Sequence, residues 1–494
     1  MNISQAKQSI KDTIKLYLKK DELGDYILPM VRQRPVFLLG APGIGKTAII
    51  EQIAAEMGLA LVSYSMTHHT RQSALGLPFI EKKEYGGREV SVSEYTMSEI
   101  IASVYDTMEE SGLKEGILFL DEINCVSETL YPSMLQFLQY KVFGRHKVPE
   151  GWIVVTAGNP PEYNRMVREF DVVTMDRLKL MEVEADKKAW LDYAIKQQVH
   201  PAILGYLELK DEHFYIMELT ESGREYVTAR GWEDLSRILK ACEEEGIEAD
   251  EMLLAQYLHH DAVVREFAAY YELYRKYEKD YSPAQILKGE ATELMKERVG
   301  SAPFDERILL AGMLCERVES DMQHVLMNAD ALGLLRPVIA SCTGSDVEEH
   351  IRKGTEGIQK RHAQLEAAGA LKDDEKRAGR RALITAEEMI KAVRADASNA
   401  CEAAKAVYNK ELESLREEAA SVKAELSSMF AFSEAAFGED AQELLLLVTR
   451  LTVNDSAARF IAGFGSEDYA RLSSALMVRE RGQQLKDEIK KLGL

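Results

Sequence analysis

Val36-Phe37-Leu38-Leu39-Gly40-Ala41-Pro42-Gly43-Ile44-Gly45-Lys46-Thr47 decides how the chain is read. Its first four residues are a short apolar run of the kind that fills a buried parallel strand. The remaining eight, Gly40 to Thr47, carry the full GxxxxGK[ST] pattern. Glycines there let successive backbone N–H groups close around phosphate oxygens, Lys46 reaches the β- and γ-phosphates, and the Thr47 hydroxyl is placed for Mg2+. Beyond the loop, Ile49, Ile50, Ile53, Ala54 and Met57 recur at helical spacing until Gly58 stops the pattern. That helix adds the positive end of its dipole to the anion site. The bland alternative is a chance Gly-rich turn, which rarely matches all eight positions in strand-loop-helix order.

Two further strands supply groups for the same site. Gly116-Ile117-Leu118-Phe119-Leu120 is a second apolar run, and it ends in Asp121-Glu122. An aspartate at a strand end beside a phosphate loop holds Mg2+ through water, and Glu122 next to it is placed to orient and polarise an attacking water. A third run, Trp152 to Ala157, leads into Gly158-Asn159-Pro160-Pro161. Asn159 would then lie between the other two strand ends, within reach of the γ-phosphate. Asn before Pro is also an ordinary turn residue, so Asn159 gains its meaning only from this order of motifs.

Composition bounds the rest. The 494 residues are 46% hydrophobic and 29% charged, enough for one large core or two to four smaller ones. No stretch approaches the roughly 20 apolar residues of a membrane span, and Met1 to Lys20 reads as a polar, Lys-rich helix without a signal-peptide block; a cytoplasmic protein is expected. The five cysteines are far apart without CxxC spacing and read as reduced thiols. A net charge of −21 opposes a large nucleic-acid surface, which needs Lys and Arg to neutralise phosphates. Only 12 prolines, with long Ala, Glu, Lys and Leu runs after about residue 185, predict a helix-dominated remainder.

The phosphate loop, Leu-Asp-Glu-Ile-Asn (120–124), Gly-Asn-Pro (158–160) and Met-Asp-Arg-Leu (175–178) together resemble the AAA+ superfamily, and within it the MoxR-like ATPases, over roughly residues 10–245. The resemblance implies a parallel α/β sheet flanked by helices, a small helical lid, and ATP with Mg2+ as ligands. It makes Asn159 the sensor that monitors the γ-phosphate and Arg177 the finger offered to a neighbouring subunit, although Leu178 replaces the family's aromatic residue. Arg165 and Arg168 compete for the finger role, and an ion pair with Asp176 or a turn contact is the structural alternative for Arg177. Leu180 to Val183 should be the last core strand, and Asp186 should cap the next helix. Tyr226 to Trp232 looks like the family's entry to a lid helix, with Thr228 as N-cap and Arg230 as a second sensor; Ala229 stands where a proline is usual. An arginine in a first turn opposes the helix dipole and needs an anion. Phe79 to Tyr95 and Gln139 to Trp152 read as hairpin insertions. The resemblance further implies a homo-oligomer, a hexameric ring, and a protein client with a von Willebrand factor A domain.

The expected division is an αβ nucleotide-binding domain (1–199), a helical lid (200–248), a helical connector (249–344), an antiparallel coiled-coil arm (345–430) and a terminal helical unit (431–494). Phe267, Tyr270, Tyr271, Tyr274 and Tyr277 form a stripe best read as a packed helix face. Val347, Ile351, Ile358, Leu365 and Ala368, then Met389 through Leu426, keep near-heptad spacing and predict two long helices joined near Gly369 to Glu375. Adjacent histidines, His68-His69 and His259-His260, point apart and cannot chelate one ion as a pair. The sequence therefore favours a MoxR-like ATPase that remodels or activates a protein. A helicase-type nucleic-acid motor and a slow nucleotide-dependent assembly hub are the alternatives.

Overall fold

The computed structural model describes residues 1–68, 71–143, 145–163, 167–220, 223–342, 346–369, 371–438 and 441–475. The chain divides into two units, one built from 1–189 with 356–376 and the other from 190–355 with 377–494.

The first unit holds a five-stranded sheet of β1 (Val36–Gly40), β2 (Ala60–Ser65), β3 (Gly116–Asp121), β4 (Trp152–Gly158) and β5 (Lys179–Val183), in the order β2-β3-β4-β1-β5. Every neighbouring pair is parallel. All of β4 and all but the last residue of β3 are buried, because helices cover both faces; this is why their sequences are continuously apolar. β2 lies at an edge and is more polar. The flanking helices include α1 (Ile3–Tyr17), opened by a reciprocal cap between Asn2 and Gln5, α2 (Lys46–Met57), α3 (Glu99–Ser111) and α4 (Tyr131–Tyr140). The chain leaves β1 toward β2 on one side and leaves neighbouring β4 toward β5 on the other. Such a reversal opens a crevice at the carboxyl ends of the strands.

Two hairpins project from this unit as the sequence predicts. Pro78–Tyr85 pairs with Arg88–Tyr95 across Gly86 and Gly87, whose φ values of 59° and 78° suit a two-residue turn that glycines adopt without strain. The shorter one pairs Val142–Phe143 with His146–Lys147; Gly144 lies outside the described residues. At its base Lys141 is 1% exposed, and its ammonium donates to the carbonyls of Met30 and Gln33. Burial pushes the Lys141 ammonium down to about 8.

In the second unit α5 (Pro201–Leu209), α6 (Ala229–Glu245) and α7 (Asp261–Tyr281) share a core around Tyr206, Trp232 and Phe267. Tyr271 and Tyr274 of the aromatic stripe are buried in it, a packed face as expected. An antiparallel hairpin, Ile216–Thr220 with Gly223–Val227, interrupts what the sequence reading treated as purely helical. Its strands are five residues each, too short and too charged to announce themselves by periodicity.

Further long helices are α8 (Phe304–Ala340), then α9 (Val347–Ala367) and α10 (Asp373–Ala395), joined by residues 368–372, and α11 (Ala400–Phe437). Pairs Glu348–Arg394 at 2.6 Å and Glu366–Lys376 at 2.5 Å hold α9 and α10 antiparallel. The near-heptad stripe from Met389 to Leu426 is divided, not continuous. Asp396 accepts the Asn399 N–H and opens a short turn at 397–399, after which α11 begins. Leu415, Ala419, Val422 and Leu426 of α11 pack in one core with Leu310, Leu314 and Met322 of α8 and with Leu447 and Leu451 of α12 (Gln442–Val453). Among the described residues that core contains none of the α9 stripe.

Glu319 on α8 and Arg450 on α12 form a bidentate pair at 3.0 and 3.1 Å inside this unit, 1% and 7% exposed. Removing one partner leaves a buried charge alone. Arg450→Met should therefore lower the unfolding free energy by about 3–5 kcal/mol in a urea titration, and Glu319→Leu/Arg450→Met should recover most of that loss.

Candidate functional site

The carboxyl ends of β1, β3 and β4 bring the three sequence motifs together. Gly43 and Gly45 take φ values of 74° and 93°, left-handed conformations that let the loop turn back on itself before α2 starts. The Lys46 side chain is 8% exposed. Its ammonium donates to the carbonyls of Gly40 at 2.7 Å and Ala41 at 2.8 Å and to Oδ1 of Asn159 at 2.9 Å. Next to it, Thr47 Oγ1 donates to Asp121 Oδ2 at 2.9 Å. A hydroxyl and a carboxylate in contact are the hard oxygen donors that Mg2+ prefers, and the cation-bearing loop at a helix N-terminus suits polyphosphate. The residues present thus fit both ATP and Mg2+.

Glu122 has a left-handed φ of 53°, and its N–H donates to Asp121 Oδ1 at 2.8 Å. Its Oε2 accepts from Ser65 Oγ at 3.0 Å and from Thr67 Oγ1 at 3.1 Å. Ser65 ends β2 directly beside Asp121 in register. Sequence reasoning missed both hydroxyls. The available signal was a polar Ser-Tyr-Ser-Met-Thr ending (63–67) on a strand adjacent to the acidic one, but strand adjacency is not visible in sequence.

Asn124 was also missed. It is 3% exposed, and its Nδ2 donates to the Asn159 carbonyl at 2.8 Å, so the Asn159 backbone is fixed from behind. Cys125 follows it, buried, and its thiol is pushed up by burial and by the charges of Glu122 and Asp121. It is an inert neighbour of the site.

The arginines fall into different settings. Arg177 is exposed, and its guanidinium donates to Gln139 at 2.8 Å, a neutral partner. Asp176 lies 3.9 Å from Arg34. Arg168 is bound to the Glu128 carboxylate and lies 5.8 Å from the centre of the Tyr131 ring, so its charge is used locally. Arg165 lies outside the described residues. Arg230 belongs to the second unit, exposed in the first turn of α6, where Thr228 accepts the Gly231 N–H as N-cap at 3.1 Å. Asp186 likewise accepts the Ala189 N–H at 2.7 Å. His260 caps α7 by accepting the Val263 N–H at 3.4 Å, and His69 lies outside the described residues.

A parallel sheet whose strand ends present this loop, this acidic pair and this asparagine defines a P-loop nucleotide hydrolase. Residues 36–168 match the family described as ATPase family associated with various cellular activities (AAA). With the fold, that match supports an AAA+ P-loop ATPase: the chain carries an AAA domain, and ATP-dependent activity follows from it. No curated protein matches the chain. No helix among the described residues is long and apolar enough to cross a membrane.

Gly158 shows how tightly the chain before Asn159 is packed. A Cβ there would lie 2.5 Å from Asn124 Oδ1. Gly158→Ala should therefore cost about 1–3 kcal/mol in thermal unfolding by displacing Asn124. Adding Asn124→Ala should relieve the clash and regain part of that stability, a non-additivity that a double-mutant cycle reads directly.

Proposed function

We propose that the chain is a MoxR-like ATPase that works as an oligomeric ring, in the first instance a hexamer, and couples Mg2+-dependent ATP hydrolysis to remodelling or activating a protein client. The observation that carries the reading is the contact of Lys46 with Asn159 and of Thr47 with Asp121, which joins three separate motifs in one crevice.

In this reading the N–H groups of Gly40 to Thr47 and the Lys46 ammonium hold the β- and γ-phosphates, and Thr47 with Asp121 holds Mg2+. Mg2+ when bound neutralises charge on the phosphoryl oxygens. Glu122 orients the water that attacks the γ-phosphorus, and Asn159 positions that water and the γ-phosphate. ADP and phosphate leave. Arg177 is the finger given to the neighbouring subunit, and Arg230 is a further cation for the γ-phosphate. Arg177 is favoured over Arg168 because it is exposed and its hydrogen-bond partner is neutral, whereas Arg168 is already matched by Glu128. Val172 and Val173, 85% and 59% exposed beside Arg177, support a second copy as the occupant of that face. The client class, a protein with a von Willebrand factor A domain, rests on the resemblance alone.

Binding and chemistry should separate. Lys46→Ala should abolish ATP binding, whereas Glu122→Gln should bind ATP normally and hydrolyse it very slowly. Titration with a fluorescent ATP analogue checks this, and equal loss of affinity in both variants would contradict the assigned roles.

A finger acting between subunits is worth roughly 10³ to 10⁵ in rate, because it meets charge that develops only in the transition state. Arg177→Ala should bind ATP and hydrolyse it poorly at every protein concentration. Mixed with Lys46→Ala subunits, which retain Arg177, it should regain part of the activity. No recovery in assemblies shown by mass to be mixed would place Arg177 in its own subunit's chemistry or pass the role to another arginine.

A further inference from the structure

Strand β2 carries two contacts that the ATPase chemistry leaves unexplained. At its end Ser65, with Thr67 just beyond, holds the Glu122 carboxylate. Four residues earlier the Leu61 N–H donates to the Ala368 carbonyl at 3.0 Å. Ala368 is fully buried, and it lies in the turn between α9 and α10 beside Gly369, whose φ is +66°. Residues 356–376 group with the first unit, while residues 355 and 377, to which they are joined, group with the second. A distant part of the chain thus returns to cover the outer edge of β2. Sheet edges leave unpaired N–H and C=O groups that proteins cover with other chain segments. This cover sits on the strand that restrains Glu122.

We propose that the turn at 367–369 is a latch on β2 that sets how Ser65 and Thr67 hold Glu122. With the latch seated, β2 keeps the two hydroxyls on the carboxylate and the carboxylate is withheld from water. With it unseated, β2 shifts and Glu122 is released to orient the attacking water. The path is short: Leu61 and Ser65 are separated by roughly 13 Å of one extended strand. Because both ends of the segment continue into the second unit's sequence, tension there reaches the turn through the backbone itself. Ala368 and Gly369 are positioning residues, acting on Glu122 through β2. The inference rests on Glu122 being the water-orienting group.

The geometry supplies its own lock. A Cβ on Gly369 would lie 3.6 Å from the Leu61 Cβ, within the range that a disulfide spans. In full-length Leu61→Cys/Gly369→Cys, oxidation with diamide, confirmed by peptide mass, should lower kcat at least about fivefold with ATP affinity unchanged, and dithiothreitol should restore it. Ala368→Asp, which places a charge where the latch is buried, should raise kcat by a similar factor. Both effects should disappear in a Ser65→Ala/Thr67→Ala background.

A second readout needs no turnover. Hydrogen exchange of the Leu61 amide in nucleotide-free protein should be slow in the wild type and faster in Ser65→Ala/Thr67→Ala, since coupling between the two contacts is reciprocal. A formed disulfide that leaves kcat unchanged, equal effects in both backgrounds, or Leu61 exchange indifferent to Ser65→Ala/Thr67→Ala would each overturn the latch. Full hydrolysis by Glu122→Gln would instead overturn the reading of Glu122 beneath it. If Ala368→Asp fails to fold, comparing the reduced and oxidised forms of the double-cysteine variant still decides the matter.

Discussion

The ammonium of a lysine that is 8% exposed has to be surrounded by acceptors, and the architecture around Lys46 follows from that need. Three of its hydrogen bonds come from two strand ends: the Gly40 and Ala41 carbonyls at the end of β1, and the Asn159 side chain after β4. These strands must therefore be neighbours with their ends level. The pairing of Leu39 with Gly158 makes them so. Asn124 buttresses the Asn159 carbonyl from the β3 side, and Gly158 has no Cβ because one would collide with Asn124. One buried charge thus constrains the order of three strands and the identity of a glycine. A polyphosphate would offer the same ammonium stronger acceptors than these carbonyl and amide oxygens.

The reading of β1, β3 and β4 from sequence succeeded for a physical reason. Strands covered on both faces have no room for polar residues, so Val36 to Leu39, Ile117 to Leu120 and Trp152 to Ala157 stand out as uninterrupted apolar runs. Their loops stand out too, because the backbone geometry of a phosphate cradle restricts residue choice to glycine at Gly43 and Gly45. The caps at Asp186 and Thr228 were legible because capping is local, read within three residues.

What was not legible depends on long-range pairing. Ser65 and Thr67 gain meaning only from lying beside Asp121 and Glu122 in the sheet, 55 or more residues away in sequence. The hairpin at Ile216–Thr220 is stabilised by pairing with Gly223–Val227, not by its own apolar pattern. For the helical half, a heptad stripe tells which face of a helix is buried and says nothing of what it is buried against. Leu415, Ala419, Val422 and Leu426 were correctly seen as one face, yet they pack on α8 and α12. Spacing alone also cannot reveal the break at 397–399, where Asp396 finds a local hydrogen bond that competes with helix continuation.

The placement of residues 356–376 bears on how such a chain can use ATP. A crevice of strand ends converts hydrolysis into motion only if some element touching the γ-phosphate side is also touched by the rest of the chain. The inner strands β3 and β4 are poor candidates, being locked by hydrogen bonds to a strand on each side. An edge strand has one side free. β2 has its inner side paired with β3, its end at Glu122, and its outer side in contact with a turn that belongs in sequence to the helical half. Of the two edge strands, β2 and β5, β2 is the one whose end holds Glu122. The same covering that removes an exposed edge also places residues 356–376 in contact with the strand whose end holds the Glu122 carboxylate.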